Sequence, residues 1–242
     1  MPISLVVGSA ALIPTALGIA LRNSLHPAAK FVLAHIAATG FAVSLCTNDY
    51  CASKTTRLLG KNDKGQIALW GLALMWPFHL GLRLRLRWKR SITTEPLYNE
   101  ILPGWYLGGW PHDASCLPPG SPAVLDVTSE LPRTQISGEY LCLPTWDTHA
   151  PVVPQIEQGV SWALAQRSVG RNVYVHCAHG HGRSVLVLCA CLIQGNHAAD
   201  YSEAIRIIKS RRPRVKMNKR QNAAFQSWMQ KRQENDTSKK TK

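Results

Sequence analysis

Apolar and polar positions follow two different patterns along this chain, and the change falls near residue 97. Before it, three runs carry no charged side chain: 3–21, 31–46 and 67–82. The first holds 19 residues, enough to cross a bilayer core at about 1.5 Å of rise per residue. The other two hold 16 each, with His35 and His79 counted as neutral. Spans that short recruit flanking residues or thin the lipid. A soluble helix normally keeps a polar face, and three runs without one predict about three transmembrane helices. The competing reading is a set of buried helices in a soluble domain.

Beyond residue 97 short apolar runs alternate with helical spacing. Strands are predicted at 104–107, 123–127, 140–143 and 173–176, each bounded by Gly, Pro or polar residues. Helices are predicted at 154–168, where Pro154 suits a first turn, and at 182–194, 200–210 and 219–232. Strands alternating with helices predict an α/β fold with a central parallel or mixed sheet flanked by helices. The expected organisation is a membrane region over 1–97, an α/β domain over 98–232 and a polar, disordered tail over 233–242.

Charge sharpens the first part of this picture. The formal net charge is +14, and no acidic residue precedes Asp49. Arg83-Leu-Arg85-Leu-Arg87-Trp88-Lys89-Arg90 follows the third apolar run directly. Such a cluster marks a cytoplasmic flank, and Trp88 suits the interface; the alternative is a solvated basic strand of period two. Three spans would place the N-terminus outside and the C-terminal domain in the cytoplasm. The basic loop 54–64 pulls against that orientation. The start, Met-Pro-Ile-Ser, lacks the positive side chain of a cleaved signal peptide. A mitochondrial transit peptide is disfavoured, because the segment is uniformly apolar and not amphipathic and Arg-rich.

Composition removes several classes. With 17% charged and 45% hydrophobic residues the chain is not disordered throughout. Seven cysteines, an odd number without a C-x-x-C pair, argue against a disulfide scaffold or a zinc site of usual spacing. No fixed period indicates repeats.

The chemistry concentrates in His176-Cys177-Ala178-His179-Gly180-His181-Gly182-Arg183-Ser184. This string joins a predicted buried strand to a helix, where an α/β sheet opens a crevice. A loop with two glycines entering a helix aims several N–H groups at one point, which suits an anion. Ala178, His179, Gly180, His181, Gly182 and Arg183 are the expected phosphate-binding residues. Cys177 at the loop's start is the candidate nucleophile, its thiolate favoured by the helix dipole and a guanidinium. Arg183 supplies a planar fork for two phosphate oxygens, and Ser184 a hydrogen bond to the departing thiolate. Cys177, His179 and His181 are soft metal ligands by type, but in a loop whose backbone faces inward their side chains radiate outward, so no metal is expected. Cys189 and Cys191 read as packing residues.

The string resembles the signature His-Cys-x5-Arg-Ser/Thr of the cysteine-dependent protein tyrosine phosphatase superfamily. Thirty residues upstream, Leu143-Pro144-Thr145-Trp146-Asp147-Thr148-His149-Ala150-Pro151 places an aspartate just after a strand. From there it can protonate a leaving oxygen and later deprotonate water. The small dual-specificity phosphatases carry their general acid at about this distance, so the resemblance covers roughly 98–232 and implies Asp147 as the acid; were Asp147 not the proton donor, His149 would be the next candidate. It also implies a phosphocysteine enzyme without cofactor, acting on phosphoproteins or on a phospholipid headgroup. Lipid-directed members often carry Lys or Arg in the loop; Ala178, His179 and His181 offer no permanent charge. The alternative class is a pseudophosphatase that binds phosphorylated ligands without turnover. The stretch 206–220 holds eight basic residues and no acidic one. Lacking aromatic interleaving, it is read as an electropositive rim for anionic substrate or lipid and not as a nucleic-acid site. The resemblance also places Asn218 near the pocket.

Overall fold

A computed structural model describes residues 1–134 and 138–240. They form two compact units, Met1–Asn62 with Gln66–Thr94 and Asp63–Gly65 with Glu95–Lys242.

The N-terminal unit contains α1 (Ile3–Ala20), α2 (Pro27–Cys46), α3 (Leu69–Leu74) and α4 (Trp76–Ser91). α1 and α2 pack as a hairpin along a seam of small residues. A Cβ on Gly40 would lie 2.7 Å from the Ala11 Cβ, and one on Gly8 2.7 Å from the Ser44 hydroxyl. That hydroxyl donates to the Ser4 carbonyl at 2.7 Å. Small residues with one interhelical hydrogen bond are how helices associate in lipid, where apolar side chains gain nothing by meeting each other. The large apolar side chains, including Leu12, Ile13, Phe31 and Leu45, point outward. α1 and α2 are long and apolar enough to cross a membrane, with mean hydropathies of 2.0 and 1.6.

The third expected span is absent among the described residues. Residues 67–82 break at Met75 into the six-residue α3 and the start of α4. Pro77 lacks the N–H that would continue α3, and it sits instead in the first turn of α4. The basic run 83–90 forms the second half of α4, so it is a helix and not a strand.

The C-terminal unit is built on a five-stranded mixed sheet, order β1-β2-β5-β3-β4. Its strands are β1 (Tyr98–Leu102), β2 (Trp105–Gly108), β3 (Ala123–Asp126), β4 (Tyr140–Cys142) and β5 (Val173–His176). β1 is antiparallel to β2 and the other pairings are parallel. Its helices are α5 (Val153–Ser168), α6 (Arg183–Gln194), α7 (Tyr201–Arg211) and α8 (Lys219–Lys240). The period of two along each strand divides the side chains. Trp105, Leu107, Ala123, Leu125, Val173 and Val175 join the core contributed by α5 to α8. Tyr106, Val124 and Tyr174 form a smaller cluster with Tyr98, Leu117 and Tyr140. α6 is apolar all round and buried from Arg183 to Ile193, as a helix at the centre of a core must be. α8 extends through the tail expected to be disordered, as far as Lys240; its Gln, Lys and Glu residues are good helix formers.

Candidate active site

β5 is the central strand, flanked by parallel β2 and β3, and its four residues are buried. Cys177 leaves its C-terminal end and residues 178–182 turn into α6. Gly180 permits the turn: its φ is +76°, and a Cβ there would stand 2.4 Å from the Gly108 carbonyl carbon. Both the left-handed conformation and the close approach require glycine.

Every carbonyl of the loop from 178 to 181 is held on the outside. That of Ala178 accepts from the Trp110 N–H at 3.3 Å and that of His181 from the Lys216 N–H at 2.8 Å. Those of His179 and Gly180 accept from Arg212 at 2.9 and 3.2 Å. A trans peptide points its N–H opposite its C=O, so the amides of residues 179–182 converge on the inner side. Together with the N-terminus of α6 they form an anion-binding concavity.

The Cys177 thiol lies in that concavity, 4% exposed. Its Sγ accepts from the Gly180 N–H and the Ser184 hydroxyl, both at 3.3 Å. Burial opposes ionisation, but the Arg183 charge and the hydrogen bonds from Ser184 and the loop backbone outweigh it and hold the thiol below its usual pKa. Cys189 and Cys191, buried on α6 without such help, are pushed up by burial, Cys189 to about 12.

Arg183 is 1% exposed. Its fork grips Glu130 at 2.7 and 3.0 Å, while Nη1 also donates to the Thr145 carbonyl at 2.7 Å and Nη2 to Asp147 Oδ1 at 3.2 Å. Burial would lower its pKa, but Glu130 and Asp147 raise it further, so the guanidinium stays charged. Asp147 is the exposed end of this chain of contacts, its side chain 36% accessible. The loop that carries it is braced from α8: Asn218 Nδ2 donates to the Thr148 carbonyl at 2.8 Å and Gln221 Nε2 to the His149 carbonyl at 3.1 Å. Asn218 thus supports the loop that carries Asp147 while capping α8 through the Gln221 N–H.

The residues singled out in the sequence therefore meet at one place. Cys177, Ser184 and the amides of the loop surround one point, and Asp147 reaches it through Arg183. His179 and His181 turn away, their rings stacked 6.1 Å apart, and His181 Nε2 lies 2.6 Å from Glu95 Oε2. Cys177, His179 and His181 do not gather into a metal site. Among the described residues one group brings three ligand atoms within 4.8 Å of one another, His112, Asp113 and Cys116, on the β2–β3 connection.

Glu130, Arg212 and Glu95 escaped the sequence reading. Glu130 is a lone acid four residues past β3, a placement that hints at a buried partner. Arg212 sits inside the basic run read as an electropositive rim, yet it is 2% exposed; composition hid it. Glu95 carried no signal.

Residues 120–233 match the family model for the dual specificity phosphatase catalytic domain. The human phosphatidylglycerophosphatase and protein-tyrosine phosphatase 1 is 42% identical over 71 residues, 29% of this chain and 35% of that protein. The Arabidopsis thaliana phosphatidylglycerophosphate phosphatase PTPMT2 is 35% identical over 78 residues, 32% of this chain and 34% of that protein. The chain thus spans about a third of the length of these relatives. A mouse putative dual specificity phosphatase complexed with zinc tungstate shares the fold, with a TM-score of 0.52 and 21% identity over 60% of this chain and 93% of that one. The family match over residues 120–233, with the fold, supports a domain like those of the cysteine-dependent protein tyrosine phosphatase superfamily. Within it, residues 120–233 are dual specificity phosphatase-like.

Proposed function

We propose that this protein is a membrane-anchored phosphatase that hydrolyses phosphate monoesters through a phosphocysteine at Cys177. The observation that carries the reading is the Cys177 sulfur, buried in the concavity of loop amides with Ser184 and Gly180 both donating to it at 3.3 Å. A substrate phosphate enters this concavity and takes the Nη2 edge of Arg183 from Asp147, while Glu130 keeps the rest of the fork in plane. The thiolate attacks phosphorus, the P–O ester bond breaks, and Asp147 gives its proton to the departing oxygen. Asp147 then removes a proton from water, which attacks the phosphocysteine. Phosphate leaves, and the returning thiolate is received by the Ser184 hydroxyl.

The favoured substrate is a phospholipid bearing a terminal phosphate, with phosphotyrosyl or phosphoseryl/threonyl protein as the second class. The human relative's name joins both activities, and the Arabidopsis one names the lipid. The lipid is favoured by α1 and α2, which carry the same features as paired transmembrane helices. Two spans put the N-terminus and the catalytic unit on one side, and the five cations of α4 make that side the cytoplasm. There a reducing milieu keeps Cys177 as thiol or thiolate.

The test uses the full-length protein in detergent. Wild type should release phosphate from an aryl phosphate without added metal, and in a screen of phospholipids and phosphopeptides it should prefer a lipid monoester. Cys177→Ser should abolish turnover and retain oxyanion binding, because the concavity is backbone. Binding without turnover by wild type would leave a phospho-ligand module. Activity in Cys177→Ser within tenfold of wild type, or a strict need for a divalent metal, would overturn the mechanism.

A further inference from the structure

The outer wall of the phosphate loop is held by the segment that opens the catalytic unit, directly after α4. Glu95 Oε2 lies 2.6 Å from His181 Nε2 and 3.5 Å from Arg212 Nη2. Arg212 Nη1 donates to the Pro96 carbonyl at 3.0 Å and to Asn99 Oδ1 at 2.7 Å. The Leu97 carbonyl accepts from the Gly109 N–H at 2.8 Å, next to the Gly108 that Gly180 packs against. The same Arg212 turns the carbonyls of His179 and Gly180 outward, and that orientation aims the loop amides inward. Glu95 is 12% exposed and Arg212 2%. A largely buried guanidinium needs such an anion beside it.

We propose that Glu95 is a positioning residue for the phosphate loop, its carboxylate tying His181 and Arg212 to the segment through which the chain enters the catalytic unit. The activity arm of this inference rests on the phosphatase reading; the binding and titration arms do not. The groups that face His181 are Glu95, Arg212, Arg214 and the stacked His179. Burial and the two arginines hold the His181 pKa below its usual value, and Glu95 works against them.

The experiment compares wild type, Glu95→Ala and Glu95→Gln as full chains in detergent. It measures inorganic phosphate and tungstate affinity, kcat and KM on an aryl phosphate, and the His181 imidazole titration by NMR. Losing a charge-assisted hydrogen bond at this site should weaken oxyanion binding and lower kcat/KM in Glu95→Ala by about tenfold or more. Glu95→Gln, which keeps an acceptor for His181 but no charge for Arg212, should lose less. In both variants the His181 titration should move to lower pH, because the one group that raises it has gone.

A purely electrostatic Glu95 would give the opposite sign: removing an anion beside the concavity would tighten oxyanion binding. Tighter or unchanged binding, or an unmoved His181 titration, overturns the proposal. Should Glu95→Ala fail to fold, the near-isosteric Glu95→Gln carries the same signs. A wild type without hydrolytic activity would sink the phosphatase reading and leave these two arms to decide.

Discussion

Two apolar helices of this chain, α1 and α6, resemble each other in sequence and differ in their surroundings. α6 has twelve residues, and all but Gln194 are buried. α1 has eighteen, of which Ile3, Ala11 and Pro14 are buried. The first is apolar because protein surrounds it; the second turns its small residues toward α2 and its large ones outward. Hydrophobic side chains need something apolar to lie against. α6 finds it in the sheet and in α5, α7 and α8; α1 exposes a surface that suits lipid. The difference shows that hydropathy reports an appetite for burial, while the seam of small residues shows how it is met.

Paired substitutions break or sharpen this contrast most strongly. Leu188→Asp buries an unpaired charge in α6 and should unfold the catalytic unit, at a cost beyond about 5 kcal/mol, seen as loss of soluble folded protein. Leu12→Asp, on the exposed face of α1, should leave that unit folded but weaken membrane insertion by about 2.5–3.5 kcal/mol, measured by carbonate extraction. If Leu12→Asp remains fully membrane-integrated, the lipid-facing assignment of α1 fails.

Next in size is Glu130→Ala, which removes the buried, two-point partner of the Arg183 charge. Breaking one partner of a buried pair should cost about 3–5 kcal/mol, read as a lowered denaturation midpoint. Substitutions at Ser44, on the α1–α2 seam, should leave that midpoint unchanged.

Asp147→Asn should reduce turnover by about 10²–10⁴ with little loss of stability, more for alkyl than for activated aryl phosphates. Wild-type activity should rise as pH climbs through the Cys177 ionisation, which lies below the usual thiol range. The variant should keep this rising limb. Iodoacetate should label Cys177 well before Cys189, which burial keeps protonated. The smallest effect belongs to Lys231→Ala: its 2.9 Å pair with Glu157 is half-exposed, and stability should change by less than about 1 kcal/mol.

Much of the catalytic unit was readable because its signals are local. β5, the glycine-bearing loop and α6 follow one another within 22 residues, and Asp147 stands just past β4. What escaped was non-local or masked. β1 carries Asn99 and Glu100 within a five-residue strand, so no apolar pattern marks it. Met75 interrupts an unbroken apolar run because of Pro77, a backbone effect that hydropathy does not register. Arg212 lies among seven other basic residues, and only the fold reveals that its guanidinium is buried against loop carbonyls. Glu130 and Glu95 gain their meaning from partners 53 and 86 positions away.

The contact between Asp147 and Arg183 has a pharmacological side. At 3.2 Å from Nη2, the carboxylate occupies the guanidinium edge that a bound oxyanion would use, so the protein carries its own tethered competitor. Every inhibitor that mimics phosphate must displace it, and its measured affinity is reduced by the fraction of molecules in which Asp147 still holds the edge. Deleting that side chain should therefore make a poorer catalyst but a better receptor, with Asp147→Ala binding tungstate more tightly than wild type does.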